Sequence, residues 1–176
     1  TQWLTKAFSL LGWQDAAAKA EKVLAFETKM AEAFRSNVEL RDVAANYNPM
    51  SKADFVKRYA AFDWNAYLAH MGIGEFDKII VGQPEVLDAV NNLLKSTSIE
   101  VVKDYLAAGY LRSAASYLND ELNAASFDFF DRQMSGAQQQ RPRWKRAMGV
   151  PNSILGEAVG KMYVAKYFPE EDKVRM

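Results

Sequence analysis

The residues of this chain that can do chemistry are few and scattered. It holds one histidine, His70, and no cysteine. Zinc sites usually draw on several His or Cys ligands, so no self-contained zinc site is expected. Without thiols there are no disulfides, zinc ribbons or iron–sulfur clusters. His70 has no carboxylate at i+3 or i+4 and reads as an ordinary surface or boundary histidine. Glu27 falls on the expected apolar stripe of its helix. A catalytic base there needs a partner and a cleft. The spacing instead predicts a partly buried carboxylate satisfied by Arg41 or Arg35, because buried charge is rarely left unpaired. Asp128 and Asp131 flank Phe129 and Phe130, which places the acids toward solvent and the rings toward a core. The run Glu170–Glu171–Asp172 after Pro169 reads as a helix start rather than a cation site.

Two patterns invite a binding role. Arg141–Pro142–Arg143–Trp144–Lys145–Arg146 combines basic charge with an aromatic platform, as single-strand nucleic-acid binders do. A solvated helix start paired with nearby acids is the reading favoured here. Gly156 and Gly160 form a GxxxG pair, which in a membrane marks a helix dimer. Glu157, Lys161 and Lys166 make insertion costly, so the pair reads as a face that lets a neighbouring backbone come close. There is no H-E-x-x-H, G-x-S-x-G, glycine-rich phosphate loop or EF-hand loop. No catalytic or metal-ligating residue is therefore assigned, and the expected structural residues are Gly156, Gly160, Glu27, Arg41 and Trp144.

Composition sets the class of protein that must position these groups. The 176 residues are 49% apolar and 25% charged, enough apolar surface to fold as an ordinary globular chain. Lys plus Arg equals Asp plus Glu at 22 each, and zero net charge argues against a phosphate-driven nucleic-acid partner. No apolar run approaches the roughly 18 residues a membrane span needs. The compartment is not fixed by the missing cysteines.

The spacing predicts helices nearly throughout, an all-α irregular multi-helix bundle with at most one very short two-stranded patch. Leu4, Phe8 and Leu11 share a face that stops at Gly12. Asp15 is placed to cap a helix running to about Ser36, with Ala20, Leu24, Glu27, Ala31 and Phe34 inward and Val23 and Met30 alongside. Asn46 to Pro49 reads as a loop. Ser51 with Asp54, and Asp63, cap short helices, the second ending at Gly72. Lys78–Val81 is the strand-like stretch. Pro84 opens a helix to about Lys95, and Ser98 caps a long one with Ile99, Val102, Leu106, Tyr110 and Tyr117 inward. Asn119–Asp120 either bends or breaks it. Leu122, Phe127, Phe130 and Met134 follow as an apolar segment, then a loop from Ser135 to Gln140. Asn152 is expected to cap the last full helix, to about Tyr167. The uncapped start and the helix signal at Pro169 suggest a segment of something longer.

One stretch is more specific. Arg143–Arg146, then Asn152 and Leu155 through Val164, then Lys166–Pro169, resembles a signature of the neprilysin and endothelin-converting-enzyme family of zinc metallopeptidases, which has bacterial members of the endopeptidase O type. Val23–Glu27 with Ala31, Tyr47–Met50, Phe62–Trp64, Ile80–Val81 with Gln83–Pro84, Asp104–Leu106 and Ser126–Phe129 agree in order, so the resemblance covers nearly the whole chain.

The resemblance implies two mostly helical lobes around a large cavity. One lobe is catalytic, with H-E-x-x-H, a downstream glutamate ligand and a zinc-bound water. The other is a cap that limits substrates to peptides. This chain looks like one cap-lobe segment, 1–176, with 1–40 a helical lead-in and 41–176 the main lobe. None of the family's catalytic or zinc-binding residues maps onto it. The implied cofactor is zinc, held by ligands outside this segment. The implied partners are the catalytic lobe of the same parent chain and peptide substrates, with no nucleic acid and no transmembrane segment. Animal members are secretory and disulfide-bonded, so the missing cysteines suggest a bacterial relative, with an extracytoplasmic place implied by the family. The other reading is an autonomous helical module that binds a peptide or protein without enzymatic activity.

Overall fold

The structure is a computed structural model describing residues 1–168 and 170. The expected helix start at Pro169, Glu171 and Asp172 lies outside the described residues. The chain divides into two compact units, Thr1–Ser126 and Phe127–Met176.

In the first unit, helices α1 (Gln2–Leu10) and α2 (Ala16–Ala31) are followed by a 3-10 turn, Glu39–Arg41. Strand β1 (Asn48–Ser51), α3 (Lys52–Arg58), α4 (Trp64–His70) and β2 (Lys78–Val81) come next. The unit ends with α5 (Pro84–Ser96), α6 (Ile99–Leu118) and α7 (Asp120–Ser126). α1 packs on α2 and α7, and α2 packs on α5 and α6. The fold is mostly helical, and its sheet is the expected two-stranded patch.

Local signals place most helix starts. The Ser51 hydroxyl accepts from the Asp54 N–H at 3.0 Å, and the Asp63 carboxylate accepts from Ala66 at 3.0 Å. Each satisfies a donor that a first turn leaves open. Pro84 sits at the start of α5 with Glu85 behind it. Gly12 and Gly72 close α1 and α4 at φ +72° and +67°, a region other residues avoid. Asp15 occupies its N-cap position but makes no side-chain cap bond. Asn119 is fully extended and breaks the long helix, and its side chain accepts from the Leu122 N–H at 2.8 Å to cap α7.

Several expectations are corrected. The Asn46–Pro49 loop is partly strand, because Asn48–Ser51 pairs antiparallel with Lys78–Val81, Pro49 opposite Ile80. α2 stops at Ala31, not Ser36, and buries Ala16, Ala20, Val23 and Phe26. Ala20 and Val23 face inward as expected, but Leu24 and Phe34 are exposed, so the inward face is turned by roughly half a residue toward Val23 and Phe26. α1 likewise buries Trp3, Ala7 and Phe8, leaving Leu11 exposed. α6 turns Asp104, Ala108, Leu111 and Ala115 inward, while Ile99, Leu106, Tyr110 and Tyr117 face solvent.

Two cores result. In one, Phe8, Ala20, Val23, Leu111, Ala115 and Leu122 are almost fully buried on α1, α2, α6 and α7. In the other, Phe55, Tyr59 and Val81 are enclosed by Met50, Val56, Trp64, Ile79 and Leu87. The Phe55 ring meets Tyr59 and Trp64 edge-on, with centroids 5.1 and 4.8 Å apart. The Trp64 indole N–H donates to the Tyr59 carbonyl at 2.9 Å, so burying the ring leaves its polar end satisfied.

The second unit opens with a π-helical segment, Phe127–Gln133. The loop expected after Met134 is present. α8 (Arg143–Ala147), α9 (Gly149–Ile154) and α10 (Gly156–Tyr167) follow. Asn152 is not a cap, since it lies inside α9, and the break falls at Leu155. Pro151 is tolerated because it sits in the first turn of α9, where its missing N–H costs nothing. No described residue of this unit is buried; Phe127, Phe129 and Phe130 are half-buried and Met134 is exposed.

Candidate functional site

The most connected side chain is Arg35, just past α2. Its guanidinium pairs with both carboxylate oxygens of Glu85, the second at 2.9 Å, and donates to Asn46 Oδ1 and the Ala45 carbonyl at 2.9 and 3.0 Å. Its backbone N–H donates to Gln83 Oε1 at 3.1 Å. Glu85 stands in the first turn of α5, where unpaired N–H groups favour an acid. The Arg35 hydrogen bonds, and then Glu85's own backbone N–H, hold its carboxyl below the usual carboxylate range. Arg35 thus ties together the segment after α2, the approach to β1 and the start of α5.

A second polar anchor is more enclosed. Lys19 on α2 reaches Asp104 on α6, with Nζ 3.0 and 2.8 Å from its two oxygens. Asp104 is 7% exposed. Lys19 Nζ also stands 5.4 Å from the Trp13 ring centre, and Trp13 stacks on Phe8 at 4.8 Å. Close by in sequence, Tyr105 packs on Phe26 at 5.0 Å. On the surface Arg58 makes two bonds to Asp88, at 2.9 and 2.5 Å. Burial raises the Tyr59 phenol, whose hydroxyl lies 3.4 Å from the Pro84 carbonyl.

The residues singled out from the sequence do not converge. Glu27 is exposed, because Val23 and Phe26 take the inward positions of α2. Arg35, one of its two expected partners, is engaged by Glu85 instead. Arg41 is exposed in the 3-10 turn. His70 is exposed in the last turn of α4. Trp144 is exposed, with Lys145 Nζ 5.4 Å over its ring. Among the described residues, a Cβ built on Gly156 or Gly160 meets no heavy atom within 4 Å. Asp128 is held by Arg132 and Gln133, each at 2.9 Å. Among the described residues, no three His, Cys, Asp or Glu side chains gather as a metal site.

The sequence reading missed the Arg35–Glu85 and Lys19–Asp104 pairs. The first acid behind Pro84 was a visible signal for the former. For the latter, a lone acid among the apolar residues of a long helix was the available clue.

The described residues form a mostly helical fold with one two-stranded antiparallel patch. The family the chain belongs to is peptidase family M13, whose N-terminal model matches residues 1–176. The chain is 31% identical over 163 residues to the neutral endopeptidase of Lactobacillus helveticus, covering 93% of this chain and 25% of that protein. It is 29% identical over 164 residues to neprilysin-11 of Caenorhabditis elegans, covering 89% of this chain and 19% of that one. The open-state structure of the Mycobacterium tuberculosis zinc metalloprotease Zmp1 superposes with a TM-score of 0.85 at 32% identity, covering 98% of this chain and 28% of the other. The chain thus spans about a quarter of the length of these relatives. Among the described residues no helix is long and apolar enough to cross a membrane.

Proposed function

We propose that residues 1–176 form part of the non-catalytic helical lobe of a zinc-dependent metalloendopeptidase that cleaves peptides. The observation that carries this reading is the match to peptidase family M13 along the whole chain. The similar Zmp1 structure is that of a protein named a zinc metalloprotease. The described residues here offer no donor set for that metal. On this reading zinc and its ligands belong to the rest of the longer polypeptide. There the metal supplies an activated water for attack on the peptide carbonyl. This segment's part is steric: it walls the cavity, excludes folded proteins and is linked to the catalytic lobe, which is its partner. On this reading the Gly156 and Gly160 face, where no described atom comes within 4 Å of an added Cβ, leaves room for close approach by that remaining polypeptide. An extracytoplasmic, bacterial setting goes with the reading.

The test is peptide hydrolysis by the longer polypeptide and by residues 1–176 alone, each with and without zinc. Activity in the longer polypeptide that a chelator removes and zinc restores is the expected result, with none in the segment. Zinc-dependent hydrolysis by the segment alone, or none by the longer polypeptide, overturns it. The latter outcome would favour the autonomous binding module.

A further inference from the structure

The segment between α2 and β1 hangs on one side chain. None of residues 33–47 is buried, and only Ala33, Arg35 and Asn46 are half-buried. A segment that buries no side chain is held by its polar bonds. Among the described residues, every hydrogen bond or ion pair that joins 33–47 to anything beyond its adjoining residues is made by Arg35. Its guanidinium takes both oxygens of Glu85 and the Gly82 carbonyl, the last at 3.3 Å. Its backbone N–H donates to Gln83 Oε1 at 3.1 Å. The bond from Asn48 Nδ2 to the Ala45 carbonyl, at 2.8 Å, leads only to the adjoining start of β1.

Inside the segment other bonds tie it into one body. Asn46 Nδ2 donates to the Leu40 carbonyl at 2.7 Å, and the Ala45 N–H to Asp42 Oδ1 at 3.0 Å. The Ser36 N–H and hydroxyl both donate to Glu39 Oε2 at 2.7 Å. Arg35 closes the base, donating to Asn46 Oδ1 and the Ala45 carbonyl at 2.9 and 3.0 Å. One guanidinium therefore joins the two ends of the segment to each other and fastens both to the turn between β2 and α5. Surface loops closed at the base and bonded within themselves open as units.

We infer that residues 33–47 are a strap that opens as one cooperative unit, at a lower free energy than unfolds the two cores, with Arg35 as its fastener. The planar fork holds all its acceptors at once, so losing either partner of the ion pair releases the whole strap. Opening bares both Glu85 oxygens, Gln83 Oε1 and the Gly82 carbonyl at the start of α5. Only bonds within residues 1–176 are involved, so the strap does not depend on the enzymatic reading.

Hydrogen exchange of the intact polypeptide in low denaturant, read at single amides, tests it. The N–H groups of Leu40, Asp42, Asn46 and Tyr47 are each bonded to a carbonyl inside the strap. In wild type they should share one opening free energy, lower than that of Tyr59 and Leu111, which are 1% and 4% exposed. Glu85→Ala, a change fifty residues from Arg35, should speed all the strap amides by roughly 10–100-fold, as loss of a charged partner implies, and leave Tyr59 and Leu111 protected. Arg35→Ala should do the same. Wild-type strap amides that open only together with Tyr59 and Leu111 overturn the inference, and this reading needs no variant to fold. So do unequal responses among the strap amides, or a Glu85→Ala effect confined to α5, which marks a role at the helix start alone. Variants in which Tyr59 and Leu111 lose protection as fully as the strap overturn it too, since the ion pair then supports the whole unit.

Discussion

Arg35 and Glu85, fifty residues apart in sequence, meet as a two-pronged ion pair that locks the segment after α2 onto the first turn of α5. A planar guanidinium matched to both carboxylate oxygens is held better than a point charge, and Arg35 adds bonds to Asn46 and two backbone carbonyls. Arg35→Ala should destabilise the chain by about 1–3 kcal/mol, since several acceptors lose a charged donor together. Arg35→Lys should recover little of this, lacking the fork. Denaturant unfolding of the three proteins measures it, and full recovery by lysine would show that charge alone matters.

The same pair makes a pH prediction. The folded-state value of Glu85 lies below its ordinary 4.5, chiefly through the Arg35 hydrogen bonds. A depressed carboxylate adds stability that is present above the ordinary value and lost as pH falls through the folded one. Glu39, lowered by its bonds to Ser36, acts in the same direction. Wild type should therefore melt above Glu85→Gln at neutral pH, and the gap should close well below pH 4.5. A gap that stays constant on acidification would assign the difference to packing.

Lys19 and Asp104 join α2 to α6 where Asp104 is nearly buried and Lys19 is about a third exposed. Asp104→Ala leaves the ammonium facing an apolar surround, but solvent reaches it, so the loss should be about 1–2 kcal/mol rather than the larger cost of a fully buried pair. Lys19→Met combined with Asp104→Leu should cost less than either single change, because an apolar pair leaves no charge unmatched. A double variant as unstable as the sum of the singles would mean the two residues act independently.

How far the sequence foretold this structure follows from how local each signal is. Ser51, Asp63, Pro84 and Gly12 act within one helical turn, and each marks a helix end where expected. The face that α6 buries was not readable, because the helix is apolar on two sides and periodicity cannot choose between them. β1 was missed because Pro49 signals a loop, while its pairing depends on Ile80, thirty-one residues on. The two ion pairs span 50 and 85 residues, and no local rule selects such partners. The family resemblance was readable because it rests on ordered short motifs rather than on packing.

Asn119 provides the remaining prediction. It ends α6 with an extended backbone and caps α7 by accepting the Leu122 N–H at 2.8 Å. Leu122 is 1% exposed, so the cap fixes the start of a helix whose anchor lies in the core. Asn119→Ala should cost about 1 kcal/mol by leaving that N–H without its partner. Asn119→Asp should be neutral or slightly stabilising, since it keeps the acceptor and adds negative charge at a helix N-terminus. Melting curves of the two variants, with hydrogen exchange at Leu122 and Asn123, decide it. Equal loss in both would mean that the extended backbone at this position matters and the side-chain acceptor does not.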